Sequence, residues 1–193
     1  GELVARQLEG VDDRFEVVTA SSASGARSQL RETVVDCVLS DYDMPDGDGL
    51  ELLETVRREY GSLPFVLYTA RGSEAIASEA IARGVDDYVR KSTDRNAGVL
   101  LANRITNAVA SHRARRGYRE LFAETADGLA LHDPETGTVV EANDRYCAIV
   151  GRDESAVIGE SPTVFTAATD RPADWFVEQI QNVERETEVT WHV

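Results

Sequence analysis

Short apolar runs alternating with helix-length segments constrain this chain more than any other feature. Cys37-Val38-Leu39-Ser40, Phe65-Val66-Leu67-Tyr68 and Tyr88-Val89 are too short for buried helices, and they read as buried strands. Between them, residues 48–60 place Leu50, Leu53 and Val56 at helical spacing, and residues 73–83 form a second helical stretch that Gly84 stops. Ahead of them, residues 2–9 read as helix, with Val4 and Leu8 four apart. Residues 15–19 (Phe15-Glu16-Val17-Val18-Thr19) read as a strand, and Ser21 or Ser22 caps a helix to about Glu32. A further helix starts near Arg95.

Strands that alternate with helices of this length build βαβ units, and these build an α/β, doubly wound parallel sheet. Such a sheet carries its chemistry at the carboxyl ends of its strands. Asp41 follows the run at 37–40, Thr69 follows 65–68, and Lys91 follows 88–89. A carboxylate, a hydroxyl and an ammonium therefore converge on one edge from three separate strands.

Charge and composition narrow what such a site can serve. The 193 residues suffice for one or two domains, and an apolar share of 42% is enough to build a core. The 35 acidic residues outnumber 20 basic ones, and a formal charge of -15 argues against broad contact with nucleic acid or an anionic membrane. No apolar run approaches the ~20 residues of a membrane span. No signal peptide is recognised, and Cys37 and Cys147 stand far apart, so a reduced, cytoplasmic chain is expected. Lys91 is the only lysine among the basic residues. An acid-rich, lysine-poor composition resembles proteins of salt-loving microbes, in which salt screens self-repulsion.

Asp41 opens the loop Asp41-Tyr42-Asp43-Met44-Pro45-Asp46-Gly47-Asp48-Gly49. A carboxylate at a strand end in an oxygen-rich turn can bind a divalent cation or act as a nucleophile that forms an acyl phosphate. Phosphoryl transfer needs charge neutralised from several sides. Lys91 suits that task as a point charge, and Thr69 can donate to a phosphoryl oxygen. A calcium loop of EF-hand type fits poorly, because Pro45 falls on a ligand position and Leu52 stands where a glutamate is needed.

On these residues the chain resembles a response-regulator receiver domain, the phospho-accepting half of two-component signalling. Ser40-Asp41-Tyr42-Asp43-Met44-Pro45 with Asp48-Gly49, Tyr68-Thr69-Ala70 and Tyr88-Val89-Arg90-Lys91 carry the resemblance over residues 1–110. It implies a flavodoxin-like fold with Asp41 as phosphoryl acceptor. Thr69 and Lys91 would contact the phosphoryl group, and Tyr88 would turn inward as Thr69 moves. Mg²⁺ would be held by Asp41 and the backbone carbonyl of Asp43. Two departures stand out. Receivers begin with a strand ending in an acidic pair that holds much of the Mg²⁺, whereas this sequence opens in the following helix, so the expected receiver lacks its first strand and its metal site is incomplete. Receivers usually have proline after the lysine; here Ser92 stands there. A haloacid-dehalogenase-type phosphatase using Asp41, with Asp43 two residues on, is the alternative from a different class.

Beyond residue 95 the pattern changes. Residues 95–119 hold six arginines and no acid, and residues 95–120 read as a linker helix continuing the last receiver helix, with Gly117 interrupting it. Residues 118–193 resemble an incomplete α+β PAS domain. The carrying sequence is Leu121-Phe122, Asp127-Gly128-Leu129-Ala130-Leu131, Gly137-Thr138-Val139-Val140 and Glu141-Ala142-Asn143, with a capped helix ending at Gly151. Residues 153–158 and 173–184 read as helices and 185–193 as a strand. No ligand signature stands out for this part.

The expectation is a phosphorelay protein that accepts a phosphoryl group from a histidine kinase or phosphotransfer protein and signals through the helix to a sensory or dimerising PAS domain. A homodimer through the linker helix and PAS domain is a possible assembly. No independent enzyme activity is expected in this segment. The longer protein would be a sensor kinase or a regulator, including a DNA-binding transcriptional regulator with its output domain beyond Val193.

Overall fold

A computed structural model of the chain describes residues 1–70, 72–94, 96–161 and 164. The chain divides into two compact units, Gly1–Arg115 and Arg116–Val193.

In the first unit, local sequence sets where each helix begins. Helix α1 (Glu2–Val11) buries Ala5 and Leu8. Helix α2 (Ala23–Glu32) starts at Ser22, whose hydroxyl accepts the Gly25 N–H at 3.1 Å. Strand β1 (Val38–Ser40) leads into a small antiparallel pair, β2 (Asp43–Met44) and β3 (Gly47–Asp48). Helix α3 (Gly49–Tyr60) opens on a capping box. The Asp48 carboxylate accepts the N–H groups of Leu50 and Glu51, each at 2.8 Å, while the Glu51 side chain reaches back to the Asp48 N–H. Strand β4 (Phe65–Thr69), helix α4 (Glu74–Ala82), strand β5 (Asp87–Arg90) and the long helix α5 (Ala97–Glu124) follow.

The sheet is parallel in the order β1-β4-β5. Strand alternation divides its side chains between two cores. Val66, Tyr68 and Val89 pack with Leu8 of α1 and Leu101, Ala102 and Ile105 of α5. Phe65 and Leu67 pack with Leu50, Leu52, Leu53 and Val56 of α3 and Ala80 of α4. All five residues of β4 are buried, as a central strand covered on both faces requires. This is the doubly wound arrangement that the alternating pattern predicts. Arg57 fastens the edge opposite the strand ends. Its guanidinium donates to the carbonyls of Leu63 (2.6 Å) and Gly84 (2.8 Å) and to Asp86, which accepts the Phe65 N–H at 2.8 Å.

Two expectations need correction here. Residues 15–19 form no strand. Phe15 and Val17 do pack on the α1–α5 core, so the alternation is genuine. A strand, however, also needs a hydrogen-bonded neighbour, and among the described residues none pairs with this segment; the Val17 N–H goes to the Glu9 carboxylate instead. Gly117 does not interrupt its helix either. A glycine there costs about 1 kcal/mol relative to alanine, but it keeps its N–H, and α5 continues to Glu124.

In the second unit, β6 (Ala130–His132) and β7 (Val139–Ala142) form the expected hairpin, with a bulge at Leu131/His132. Its turn is built by Asp133, whose carboxylate accepts the N–H groups of Glu135 and Thr136, and by Gly137 at φ 71°. Helix α6 (Asp144–Val150) is capped by Asn143 and ends at left-handed Gly151. Val139, Ala142 and Val157 form the core of this unit. Where a helix over 153–158 is expected, only a single 3₁₀ turn forms, Glu154–Ala156. The expected elements at 173–184 and 185–193 lie outside the described residues.

Candidate functional site

The register of the sheet brings the three sequence-predicted side chains to one edge. Ser40 lies opposite Leu67 and Thr69 opposite Arg90, so Asp41 and Lys91 each stand one step beyond a paired residue. The Lys91 ammonium forms an ion pair with Oδ2 of Asp41 across fifty positions of sequence. The other oxygen, Oδ1, accepts the Tyr42 N–H at 2.7 Å. The Lys91 N–H donates to the Thr69 carbonyl at 2.8 Å, which ties the two loops together. The Thr69 hydroxyl also hydrogen-bonds the Asp41 carboxylate, although Thr69 is only 1% exposed. The side chains of Lys91 and Asp41 are 35% and 37% exposed, so the carboxylate can be reached from solvent.

Electrostatics keep that carboxylate ionised. Partial burial by itself pushes the Asp41 carboxyl up. The Lys91 ammonium, the Tyr42 N–H and the Thr69 hydroxyl outweigh it and hold the group below its ordinary value. At neutral pH the Asp41 carboxylate is thus anionic, with a cation beside it. Cys37 plays no such part, since burial pushes its thiol up to about 12.

Tyr88 is half-buried and packs with the α3–α4 core, on the sheet face opposite Val89. Asp43 sits in β2, paired with Asp48. Among the described residues no three His, Cys, Asp or Glu side chains stand together as a metal site. Receiver domains generally bind Mg²⁺ at the phosphorylation site, and that ion takes six oxygens. The Asp41 carboxylate, already engaged by Lys91, and the Asp43 carbonyl do not make such a set by themselves. At Ser92, the hydroxyl accepts the Asp94 N–H at 3.1 Å, and no peptide bond among the described residues is cis.

Two supports of the site are not evident in the sequence pattern. Gly49 permits the start of α3 to lie against the Asp41 backbone. A Cβ there would run into the Asp41 carbonyl oxygen and come within 2.6 Å of Leu67 Cδ1. Asp46 ties the acidic loop to α2 by accepting the N–H groups of Ala23 (2.7 Å) and Ser24 (2.9 Å). The Ser24 side chain and these two N–H groups hold its carboxyl down to about 2. The acid-rich loop signals a charged turn, but nothing in it names the helix that Asp46 caps.

Comparison with known proteins points one way. The family model of the response regulator receiver domain matches residues 2–103. The response regulator protein FleR of Pseudomonas aeruginosa is 34% identical over 150 residues, covering 77% of this chain and 28% of that protein. The phosphate regulon transcriptional regulatory protein PhoB of Klebsiella pneumoniae is 35% identical over 92 residues, 47% of this chain and 39% of that protein. The chain thus spans well under half the length of these curated relatives. A crystal structure of NtrX from Brucella abortus superposes with a TM-score of 0.55 at 27% identity, covering 68% of this chain and 28% of that one. A CheY-like receiver domain protein from Methanospirillum hungatei shares the fold, with a TM-score of 0.53 at 20% identity over 59% of this chain and 87% of that one.

Proposed function

The chain belongs to the response regulator receiver domain family of two-component phosphorelays, and from that membership we propose that Asp41 is the residue that takes the phosphoryl group. The observation that carries the reading is the meeting of Asp41, Thr69 and Lys91 at the ends of three adjacent parallel strands. Receiver domains interact with histidine kinases or phosphotransfer proteins, and the donor here is a phosphohistidine. An Asp41 carboxylate oxygen attacks phosphorus as the P–N bond breaks, and the imidazole leaves with that bond's electron pair. The Lys91 ammonium, now paired with Oδ2, turns part of its field to the incoming phosphoryl oxygens. The Thr69 hydroxyl donates to one of them. That pull on Thr69 opens space toward which Tyr88 turns, and the shift of population is the signal. Asp41 and the Asp43 carbonyl are proposed as this chain's share of the Mg²⁺ site.

Residues 118–193 are proposed as a PAS domain joined by the helix over 95–120, with a homodimer formed through that helix and domain. The hairpin, the Asn143 cap and the Gly151 stop support it. The longer protein is a cytoplasmic sensor kinase or regulator; similarity to a transcriptional regulatory protein favours the second, with a DNA-binding output beyond Val193. Among the described residues no helix is long and apolar enough to cross a membrane. The charge of -15 supports a high-salt setting.

The test is phosphoryl labelling of the full chain with acetyl phosphate and Mg²⁺. Asp41→Asn abolishes the label and Asp43→Asn retains it, because Asp43 serves through its backbone. A label that persists in Asp41→Asn moves the nucleophile elsewhere. Rapid turnover of small phosphate esters, in place of a lasting label, would favour the phosphatase reading.

A further inference from the structure

We infer that Tyr68 is a positioning residue for Lys91, its ring face and the Asp41 carboxylate holding the ammonium from two sides before any phosphoryl group arrives. The inference rests on the reading of Lys91 as the cation that meets the phosphoryl group, and it assigns a role to a residue that reads in the sequence as plain strand core.

Sheet register places the two side chains together. Tyr68 lies opposite Val89 in the β4–β5 ladder, and Lys91 stands two residues beyond Val89, on the same side of the sheet. Residues related in this diagonal way are within reach when one is aromatic and the other long. The contact is made: Lys91 Nζ lies 5.6 Å from the centre of the Tyr68 ring. An ammonium within about 6 Å of an aromatic face is attracted by the negative charge of that face. Asp41 follows Ser40, which is opposite Leu67, and so stands level with Tyr68. Carboxylate and ring thus stand level at the strand ends, and Lys91 reaches both from two residues further along.

Mobility sets the direction of control. Tyr68 is 8% exposed and packed among Leu8, Val66, Val89 and Leu101, so the ring is fixed. Lys91 is a flexible four-carbon stem with a partly exposed side chain. Of the two, the ring is the part that can locate the other. An aliphatic residue at position 68 would keep the core position apolar but offer the ammonium no electron-rich face. The Asp41 carboxylate alone could hold Lys91 in many stem conformations. With the ring as a second anchor, the ammonium stays at the strand edge when Asp41 turns toward phosphorus and its charge is spread over the acyl phosphate.

Lys91 is the only lysine in the chain, so incorporating ¹³C,¹⁵N-lysine yields one side-chain signal. In the unaltered chain, the ε protons of Lys91 should show a nuclear Overhauser effect to the Tyr68 ring protons. Tyr68→Leu should return the lysine signal to that of an unshielded side chain and slow acetyl phosphate labelling of Asp41 by about two- to five-fold, the range of a partly exposed cation–π contact. Tyr68→Phe, which keeps the ring, should match the unaltered chain in both readouts. A missing Overhauser effect, or a Tyr68→Leu lysine signal identical to that of the unaltered chain, overturns the inference. The Overhauser measurement needs no variant, so it decides the matter even where Tyr68→Leu fails to fold. If the unaltered chain takes no label at all, the reading of Asp41 is what fails, and the ring contact is judged on the lysine signal alone.

Discussion

The two units put their polar side chains to opposite uses. In Gly1–Arg115, Asp41, Thr69 and Lys91 come from separate strands and meet at an edge open to solvent, where the Asp41 carboxylate bonds the other two side chains as well as the Tyr42 N–H. In the second unit, the most connected polar side chain among the described residues turns inward. Asn143 is 3% exposed; its oxygen accepts the N–H groups of Leu129 (2.9 Å) and Tyr146 (2.8 Å), and its amide donates to the carbonyls of Phe122 (2.8 Å) and Asp127 (3.0 Å). All four hydrogen-bonding positions of that amide serve the unit's own backbone. A polar group fully satisfied by backbone is an architectural part. A carboxylate left half-exposed beside a cation is available for chemistry, and the difference lies in the partners rather than in the residue types.

Three changes probe that contrast, in falling order of expected effect. Gly49→Ala drives a Cβ into the Asp41 carbonyl, which must shift together with Leu67. Overpacking against backbone costs about 3 kcal/mol, and thermal unfolding should show that loss together with weaker labelling of Asp41. A variant that melts and labels like the unaltered chain would mean that α3 does not press on Asp41.

Asn143→Ala orphans two carbonyls and two N–H groups around a buried position, and should cost about 2 kcal/mol. The loss should appear in hydrogen exchange around β6, β7 and α6, while Asp41 labelling stays unchanged. Labelling that falls with it would show that the division of roles is not as drawn.

The smallest effect is confined to acid. The folded Asp46 carboxyl lies at about 2, below its ordinary 3.8. Its contribution is therefore full above the unfolded value, near pH 4, and is lost as pH falls through about 2. The melting difference between the unaltered chain and Asp46→Asn should be present at pH 6 and close across that window. A difference that stays constant down to pH 2 would show that Asp46 does not tie the loop to α2 through its charge.

What could be read from sequence follows the same contrast. The strand ends were legible because a buried parallel strand is a short apolar run, and the next polar residue falls on the carboxyl edge. Residues 15–19 misled because alternation reports burial, which Phe15 and Val17 do show, while a ladder depends on a neighbour that local pattern cannot name. Gly117 misled because helix propensity is a small preference and α5 overrides it. Asp46, Gly49 and Tyr68 stood in the quoted segments, but their roles were not legible for one reason: each acts on a backbone or side chain at a distance set by the register of elements, a quantity that no local spacing encodes.

The central claim is that the phosphoryl group arrives on Asp41, and the direct measurement locates it there. Acetyl phosphate labelling of the full chain, followed by borohydride reduction, converts a phosphorylated aspartate to homoserine, which peptide mass spectrometry assigns to a position. The account predicts homoserine at position 41 and at no other acidic residue of the loop over 41–49. Homoserine at position 43, 46 or 48 with position 41 unchanged, or no homoserine in a folded chain, would contradict it.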